Sequence, residues 1–279
     1  MTVQAPNATS AMSEHEFEEI REMCYQHCGI NLQGKEVLVF ARLSNQVRKM
    51  GLSSFREYCE KVKGDSSGQL MASMIDVLTT NHTSFFREPQ HFEFLRKKIL
   101  PALKPSDSIS VWSAACSSGE EPFSIAISLL EELGEKAASR IHILATDVST
   151  RMLKKAERGC YPEDSFSGIP MEMLHRYLLK GLGPSRGVYK VKEKVRALIE
   201  FRHANLMESF AHLGRFSVIF CRNVMIYFDQ PTQQRLVHRL ADCLLPGGYL
   251  LVGHSESLNS TRQPLRYIAP AIYRKDGGV

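Results

Sequence analysis

The sequence predicts an α/β protein in which a doubly wound parallel sheet follows a region of helices. Apolar residues recur at helical spacing up to about residue 80, and short apolar strands alternate with helices after about residue 105. Hydrophobic residues make up 43% of the chain and charged residues 23%, as in ordinary globular proteins, which excludes wholesale disorder. The length of 279 residues fits about two domains.

The helical region begins at residue 14, after a short polar segment for which we expect disorder. One buried stripe of an amphipathic helix is predicted from apolar residues at i, i+4, i+8 and i+11: Val39, Leu43, Val47 and Met50. Three basic residues recur every seven positions on another face of this helix: Lys35, Arg42 and Lys49. This basic stripe is either a solvated face or a surface for an acidic partner.

The second region carries the strands. Predicted strands are 109–114, 140–146, 198–203, 216–221 and 249–252, with helices at 120–134 and 230–245 and a terminal strand or hairpin at 266–275. We expect Pro246-Gly247-Gly248 to end the second of these helices. Ligands of such sheets bind at the carboxyl ends of the strands, so the loops that follow the strands are the candidate site.

Charge and cysteine content exclude several classes of protein. Lysine and arginine total 35 against 30 acidic residues, and this net charge of +5 favours acidic partners without identifying one. The seven cysteines are odd in number and form no C-x-x-C pair, which argues against disulfides and thiolate zinc. The histidines lack metal-ligand spacing, so we expect no metal. Without a signal peptide or an apolar run of ~20 residues, we expect a cytoplasmic monomer that does not insert into membranes.

The loop after the first predicted strand indicates the type of cofactor. Residues 113–121 lack both G-x-G-x-x-G and G-K-[ST], so they offer no phosphate cradle. Glu120 and Glu121 would instead favour a cationic ligand, and Asp147 ends the next strand, where acidic side chains bind ribose hydroxyls. A cationic nucleoside without a pyrophosphate indicates S-adenosylmethionine. Alternatively, the two glutamates only stabilise the N-terminus of a helix.

Five strings in the chain fit one family together. They are T-T-N-x-T-x-F-F-R-E at 79–88, V-W-S-A-A-C-S-S-G-E-E-P at 111–122, A-T-D-V-S at 145–149, F-C-R-N-V-M-I-Y-F at 220–228 and L-P-G-G-Y-L-x-V-G-x-S-E-S at 245–257. With them the sequence resembles the CheR-type chemotaxis receptor methyltransferases, which methylate receptor glutamates. The resemblance covers roughly residues 14–274.

The resemblance implies a domain organisation. A small all-helical N-terminal domain occupies 14–76, and a linker that carries part of the cofactor site occupies 77–92. A Rossmann-like, S-adenosylmethionine-dependent methyltransferase domain then occupies 93–279, with an inserted antiparallel β-subdomain at about 178–200.

The resemblance also implies the functional residues. Cofactor contacts fall on Asn81, Thr83, Arg87, Glu121, Asp147, Asn205, Leu206, Arg222 and Asn223. Arg87 and Tyr227 lie beside the transferred methyl group and form the expected catalytic pair, Arg87 steering the carboxylate or holding the cofactor and Tyr227 fixing geometry. The basic stripe of Lys35, Arg42 and Lys49 would steer acidic receptor helices. A receptor C-terminal peptide could bind at 181–196, in the β-subdomain.

The expected chemistry needs few groups. A glutamate carboxylate has a reference pKa of ~4.3 and is ionised at neutral pH, so methyl transfer to it needs alignment rather than a general base. Nucleobase methyltransferases typically carry [ND]-P-P-[YF] after the fourth strand, whereas R-N-V-M-I-Y stands at 222–227, so we expect no nucleic-acid partner. Two alternatives stay open: an RNA methyltransferase, and a non-catalytic module that binds the cofactor and docks on receptors.

Overall fold

The computed structural model describes residues 11–104, 106–258 and 264–277. The chain divides into two compact units. The helical unit contains the chain up to Asn81 together with Tyr227–Asp229, and the α/β unit contains His82–Ile226 and the chain from Gln230 onward. The predicted linker at 77–92 therefore spans the point where the units divide. Residues 1–10, most of the segment predicted to be disordered, lie outside the described residues.

Four helices form the helical unit: α1 Glu14–Cys28, α2 Glu36–Lys49, α3 Phe55–Gly64 and α4 Gln69–Leu78. A capping box begins α1, because the Ser13 N–H donates to Glu16 Oε2 (2.7 Å) and the Glu16 N–H donates to Ser13 Oγ (3.3 Å). The predicted apolar stripe of α2 is confirmed at its first three positions, which are fully buried: Val39, Leu43 and Val47. Met50 follows α2 and is half-buried.

The α/β unit alternates strands and helices. Its helices are α5 Pro89–Phe94, α6 Glu120–Leu133, α7 Thr150–Arg158, α8 Met171–Tyr177, α9 Glu193–Arg196 and α10 Gln230–Asp242. Its strands are β1 Ile109–Ala114, β2 Ile141–Asp147, β3 Cys160–Pro162, β4 Leu178–Lys180, β5 Val188–Val191, β6 Ile199–His203, β7 Phe216–Cys221, β8 Leu244–Val252, β9 Leu265–Ala269 and β10 Ile272–Lys275. Among the described residues, no helix has the length and apolar character needed to cross a bilayer.

Seven strands form the main sheet in the order β6-β2-β1-β7-β8-β10-β9. The first five run parallel, and β10 runs antiparallel to both β8 and β9. Ala114 pairs with both Thr146 and Cys221, so β1, β2 and β7 reach the same edge of the sheet. The predicted doubly wound α/β fold is confirmed, with an antiparallel hairpin at its C-terminal end.

A second sheet is inserted after α7. Its three strands are antiparallel in the order β3-β5-β4, which confirms the predicted antiparallel β-subdomain. The sheet begins at Cys160, before the predicted range of about 178–200, and 193–196 is a helical turn. Tyr161 and Tyr189 pair across β3 and β5 and are buried. Both tyrosines belong to the hydrophobic core of the α/β unit, so the second sheet packs as part of that core.

The Pro246-Gly247-Gly248 string does not end a helix. It lies inside β8, and α10 already ends at Asp242. Phe216 pairs with Leu244 and Val218 pairs with Tyr249, so the intervening residues of β8 form a bulge. A Cβ on Gly248 would lie 2.9–3.2 Å from three backbone carbonyl oxygens. This close approach requires glycine at position 248. The prediction that the string ends a helix is therefore wrong.

Candidate active site

The loop between β1 and α6 is tied to the end of β2. The Ser117 N–H donates to Asp147 Oδ2 (2.7 Å), and the Ser149 N–H donates to Asp147 Oδ1 (2.8 Å). Asp147 is buried. These two bonds fix its carboxylate at the carboxyl edge of the sheet, where acidic side chains bind ribose hydroxyls.

The same loop is packed closely against α7. Gly119 has φ of +97°, and a Cβ there would lie 2.7 Å from Ala156 Cβ and 2.9 Å from Tyr161 Oη. The Tyr161 hydroxyl donates to the Ser118 carbonyl oxygen (2.6 Å). The small residues of this loop are therefore required by packing, and the β-subdomain supplies one of its hydrogen bonds.

The two glutamates that begin α6 have different surroundings. Glu120 accepts from Ser118 Oγ (2.7 Å) within its own turn. Glu121 accepts from Ser113 Oγ (2.6 Å), and its Oε2 lies 3.6 Å from Arg222 Nε. Glu120 therefore fits the helix-terminus interpretation, whereas Glu121 belongs to the candidate site.

Arg222 lies at the centre of a buried charge cluster. Its side chain is 2% exposed, and its Nε lies 3.4 Å from Glu88 Oε2. Its Nη2 donates to the Arg87 carbonyl oxygen (2.6 Å), and Asn223 Nδ2 donates to Glu88 Oε1 (3.3 Å). Three predicted cofactor residues, Glu121, Arg222 and Asn223, are thus brought together, and the Arg87 backbone is bound to them.

Burial and the Arg222 guanidinium set the ionisation of this cluster. Burial raises the pKa of Glu121, and Arg222 opposes that shift. Burial also disfavours the charged form of Glu88, but Arg222 and hydrogen bonds from His254 and Asn223 lower its pKa below the ordinary value. Burial, with Arg222 adding to it, lowers the pKa of His91 to about 4. His91 is therefore neutral at neutral pH.

Glu256 is a site residue to which the sequence analysis assigned no role. Its buried carboxylate accepts four backbone N–H groups: Gly253 (2.6 Å) and Asn223 (2.7 Å) at Oε2, Met225 (2.7 Å) and Ile226 (3.3 Å) at Oε1. These bonds fix the loop after β7. The S-E-S string that contains Glu256 was the available signal. The sequence analysis also assigned no role to Glu88, although it follows Arg87 at the end of the T-T-N-x-T-x-F-F-R-E string.

The remaining predicted residues of the α/β unit lie in loops at the strand ends or in the segment before α5. Asn205 and Leu206 follow β6 and are buried, and Asn205 Oδ1 accepts from the Met207 N–H (3.0 Å). Thr83 is half-buried. Arg87 Nη1 donates to the His82 carbonyl oxygen (3.0 Å). Positive φ at five non-glycine residues marks these segments as constrained: Phe86, Glu88, Ala115, Ser117 and Asn223.

Asn81 and Tyr227 belong to the helical unit. There the Tyr227 hydroxyl donates to the Thr80 carbonyl oxygen (3.2 Å), and the Tyr227 carbonyl accepts from the Asn31 N–H (2.7 Å). Asn81 Oδ1 lies 3.5 Å from Thr79 Oγ1.

The three residues of the basic stripe differ in their surroundings. Arg42 donates to the Leu78 carbonyl oxygen (2.5 Å) and to Thr80 Oγ1 (2.7 Å), while Lys35 and Lys49 are exposed. The Arg42 guanidinium thus ties α2 to the end of α4.

Two family models match the chain, one over most of the helical unit and the other over most of the α/β unit. The family model described as CheR methyltransferase, all-alpha domain, matches residues 15–79, and the one described as CheR methyltransferase, SAM binding domain, matches residues 81–273. The chain belongs to the CheR methyltransferase family. As a CheR protein it is an S-adenosylmethionine-dependent methyltransferase.

Curated relatives match this chain over nearly all of its length. Chemotaxis protein methyltransferase 2 of Pseudomonas aeruginosa is 39% identical over 263 residues, 94% of this chain and 93% of that protein. The chemotaxis protein methyltransferase of Borreliella burgdorferi is 38% identical over 279 residues, 97% of each chain. That of Escherichia coli is 37% identical over 265 residues, 94% of this chain and 91% of that protein.

The donor set of the site fits S-adenosylmethionine. Arg222 Nη1 and Glu88 Oε2 are buried and have no hydrogen-bond partner within the described part of the chain. A buried donor beside a buried carboxylate suits the carboxylate and ammonium groups of a methionine moiety. Asp147 would then hold the ribose, and Glu121 with Arg222 would face the methionine end.

A metal is a weaker fit for this cluster. Glu88, His91 and His254 each offer one ligand atom, all within 4.8 Å of one another. Arg222 already places a positive charge 3.4 Å from Glu88 Oε2, and this charge would repel a divalent metal ion more strongly than a singly charged ammonium group. The absence of a metal stays a prediction.

Replacing Asp147 tests the ribose assignment. We expect Asp147→Ala to weaken S-adenosylmethionine binding by ~1.5–3 kcal/mol, the range for hydrogen bonds to charged groups. Calorimetric titration measures this, with Asp164→Ala, an exposed carboxylate in the β-subdomain, as control. Unchanged affinity in a folded Asp147→Ala variant would remove Asp147 from the cofactor site.

Proposed function

We propose that this protein transfers a methyl group from S-adenosylmethionine to glutamate side-chain carboxylates of chemoreceptors and forms glutamate methyl esters. The observation that carries this proposal is the agreement of both units with proteins named as chemotaxis methyltransferases. We further propose a cytoplasmic location, because the acceptor is the cytoplasmic helical part of the receptor.

The reaction is an in-line displacement. S-adenosylmethionine supplies a methyl group bonded to a positively charged sulfur. A glutamate oxygen forms the new bond to the methyl carbon while the carbon–sulfur bond breaks, and the electron pair of that bond stays on sulfur. An ionised carboxylate has no proton to lose, so the task of the protein is to desolvate and align it.

The residues of the site suit that task. Arg222 balances the charges of Glu88 and Glu121 and binds the Arg87 backbone, which supports a fixed position for Arg87 beside the methyl group. Glu256 holds the loop that leads to Tyr227 through four backbone N–H groups. Preorganised groups of this kind lower the barrier because they need not reorganise during the reaction.

Methyl transfer to receptor fragments tests the function. With S-adenosylmethionine labelled in the methyl group, we expect label to enter a receptor cytoplasmic fragment and to be released by mild base, as a carboxyl ester is. A fragment in which the acceptor glutamates are replaced by alanine is the control. Label stable to base, or label in RNA, would support the RNA methyltransferase instead. No transfer, with intact cofactor binding, would support the non-catalytic module.

We propose that the exposed lysines of the basic stripe steer the acidic receptor helices. Arg42 is left unchanged in the test, because it holds the end of α4. Lys35→Glu with Lys49→Glu should weaken binding of the receptor fragment and flatten its dependence on salt. Lys61→Glu with Lys98→Glu changes two other exposed lysines and gives the same net charge. Equal affinities of the two variants at low salt would show that the stripe is only solvated.

We also propose that a receptor C-terminal peptide binds the β-subdomain at β4. This strand is an edge of its sheet, and exposed apolar side chains stand in it and just beyond it, Leu179 at 54% and Leu182 at 82%. An extended peptide can add to such an edge through backbone hydrogen bonds. Deleting 181–196 would remove the central strand β5 and the buried Tyr189, so point substitutions are the better test.

Leu179→Asp with Leu182→Asp should abolish peptide binding while cofactor affinity is kept. The peptide as a free acid should bind more tightly than its amide, because basic side chains such as Lys180 lie nearby. Met171→Asp, also at an exposed apolar residue of the unit, is the control. A receptor peptide that binds the double variant as well as the wild type would place its site elsewhere.

A further inference from the structure

A strongly basic cleft lies outside the candidate active site, on α7 and the neighbouring β-subdomain. It consists of two adjoining hollows of about 430 and 370 Å³ that share Lys154 and Arg158. Its basic side chains are Arg151, Lys154, Lys155, Arg158, Lys190 and Arg196, against the single carboxylate of Glu157. The whole chain has a net charge of only +5. We call this surface the α7 cleft.

Most of these cations are not neutralised by the protein. Arg196 donates to the Glu157 carbonyl oxygen (2.9 Å) and pairs with Glu193 (3.2 Å). No ion pair or side-chain hydrogen bond within the described ranges involves Lys154, Lys155, Arg158 or Lys190. Elsewhere in this unit, exposed lysines do pair with glutamates, as Lys180 does with Glu163 (3.0 Å).

The arrangement of charges on α7 destabilises the isolated helix. Arg151 and Lys155, and likewise Lys154 and Arg158, are like charges at i and i+4, and each such pair costs about 0.2–0.5 kcal/mol. An anionic partner that covers such a helix relieves this repulsion and stabilises the helix.

The spacing of the charges indicates the form of the partner. Positions 151, 154, 155 and 158 follow the pattern i, i+3, i+4, i+7 and span about 10 Å of helix axis. A partner helix with carboxylates at the same spacing places them at the same distances along its axis, so each carboxylate can face one cation of α7. Nucleic-acid sites usually add aromatic side chains on which bases stack, and the cleft lining contains none among the described residues.

We propose that the α7 cleft docks an acidic helix of the protein that this enzyme methylates, with glutamates at i, i+3 or i+4, and i+7. The inference rests on the proposed function. Because α7 begins at Thr150, directly after the Asp147–Ser149 turn, a helix docked there lies near the carboxyl edge of the sheet. Each methyl ester removes one negative charge, so docking weakens as the modification of the partner proceeds.

Charge reversal in the cleft gives the kinetic test. Lys154→Glu, Arg158→Glu and Lys190→Glu together should raise the KM for a receptor fragment at least ~10-fold and flatten its salt dependence. kcat at saturating fragment and cofactor affinity should stay unchanged. The control reverses three other exposed cations of the same unit, Arg96, Lys98 and Lys136, with the same change in net charge.

Cys160 provides a binding readout that needs no turnover. It lines the cleft and is exposed, whereas the other six cysteines are buried. The receptor fragment should slow alkylation of Cys160 in the wild type, and the charge-reversed variant should lose this protection. Alkylation in urea, where every cysteine reacts, calibrates the extent of labelling.

The outcomes separate the two proposals. If the wild type methylates the fragment, but both triple variants share its KM and the fragment leaves Cys160 unprotected, the cleft is not a docking surface. Protection by vesicles rich in anionic lipid or by inorganic polyphosphate, but not by the fragment, would likewise overturn the acidic helix as occupant. If the wild type transfers no methyl group to any fragment while Cys160 is still protected, the proposed function fails, and the cleft docks an acidic helix of a protein that is not methylated.

Discussion

Arg222→Leu should lower the free energy of unfolding of the protein by about 3–5 kcal/mol, as when one partner of a buried ion pair is removed. Arg222 lies 3.4 Å from Glu88 and 3.6 Å from Glu121, and its side chain is 2% exposed. Without it both carboxylates lose their compensating charge, and the Arg87 carbonyl oxygen loses its donor. Urea unfolding of the wild type and the variant measures the difference.

A second substitution distinguishes charge from packing. In the Arg222→Leu background, Glu121→Gln should recover part of the lost stability, because it removes one uncompensated carboxylate. Arg222→Leu with Asp164→Asn, at an exposed carboxylate, should recover nothing. Equal stability of these two double variants would show that Arg222 acts by filling space.

Arg87→Ala should lower turnover at least ~10²-fold, as for removal of one preorganised electrostatic contact. The Arg87 side chain makes one hydrogen bond, to the His82 carbonyl oxygen (3.0 Å). Stability should therefore change by no more than about 0.5 kcal/mol, as for surface substitutions. Single-turnover methyl transfer at saturating cofactor measures the effect, and Arg96→Ala is the matched control. Wild-type turnover in Arg87→Ala would leave only a structural role for Arg87.

The sequence predicted the strands that position the site because they are short apolar runs bounded by polar loops. β1 and β7 were placed residue for residue, and β2 began one residue later than expected. Asp147 was found because it ends such a strand. These predictions needed only local periodicity and the rule that ligands bind at strand ends.

The parts that the sequence did not predict depend on contacts between distant residues. Glu256 accepts from the Asn223 N–H, 33 residues away, and the S-E-S string that contains it does not indicate this distant partner. The heptad spacing placed Arg42 with Lys35 and Lys49, but spacing cannot reveal that its guanidinium binds the end of α4. β3 was missed because a strand of three residues has almost no periodicity to detect.

The tryptophan content of the chain gives the protein a built-in fluorescent reporter. Trp112 is the single tryptophan, is buried in β1, and donates from Nε1 to Thr146 Oγ1 (2.9 Å), beside Asp147. Its emission follows the α/β unit alone, whereas far-ultraviolet circular dichroism follows the helices of both units. Denaturation curves from the two signals coincide if the units unfold as one cooperative system and separate if they do not. The same emission can follow cofactor titrations without any added dye.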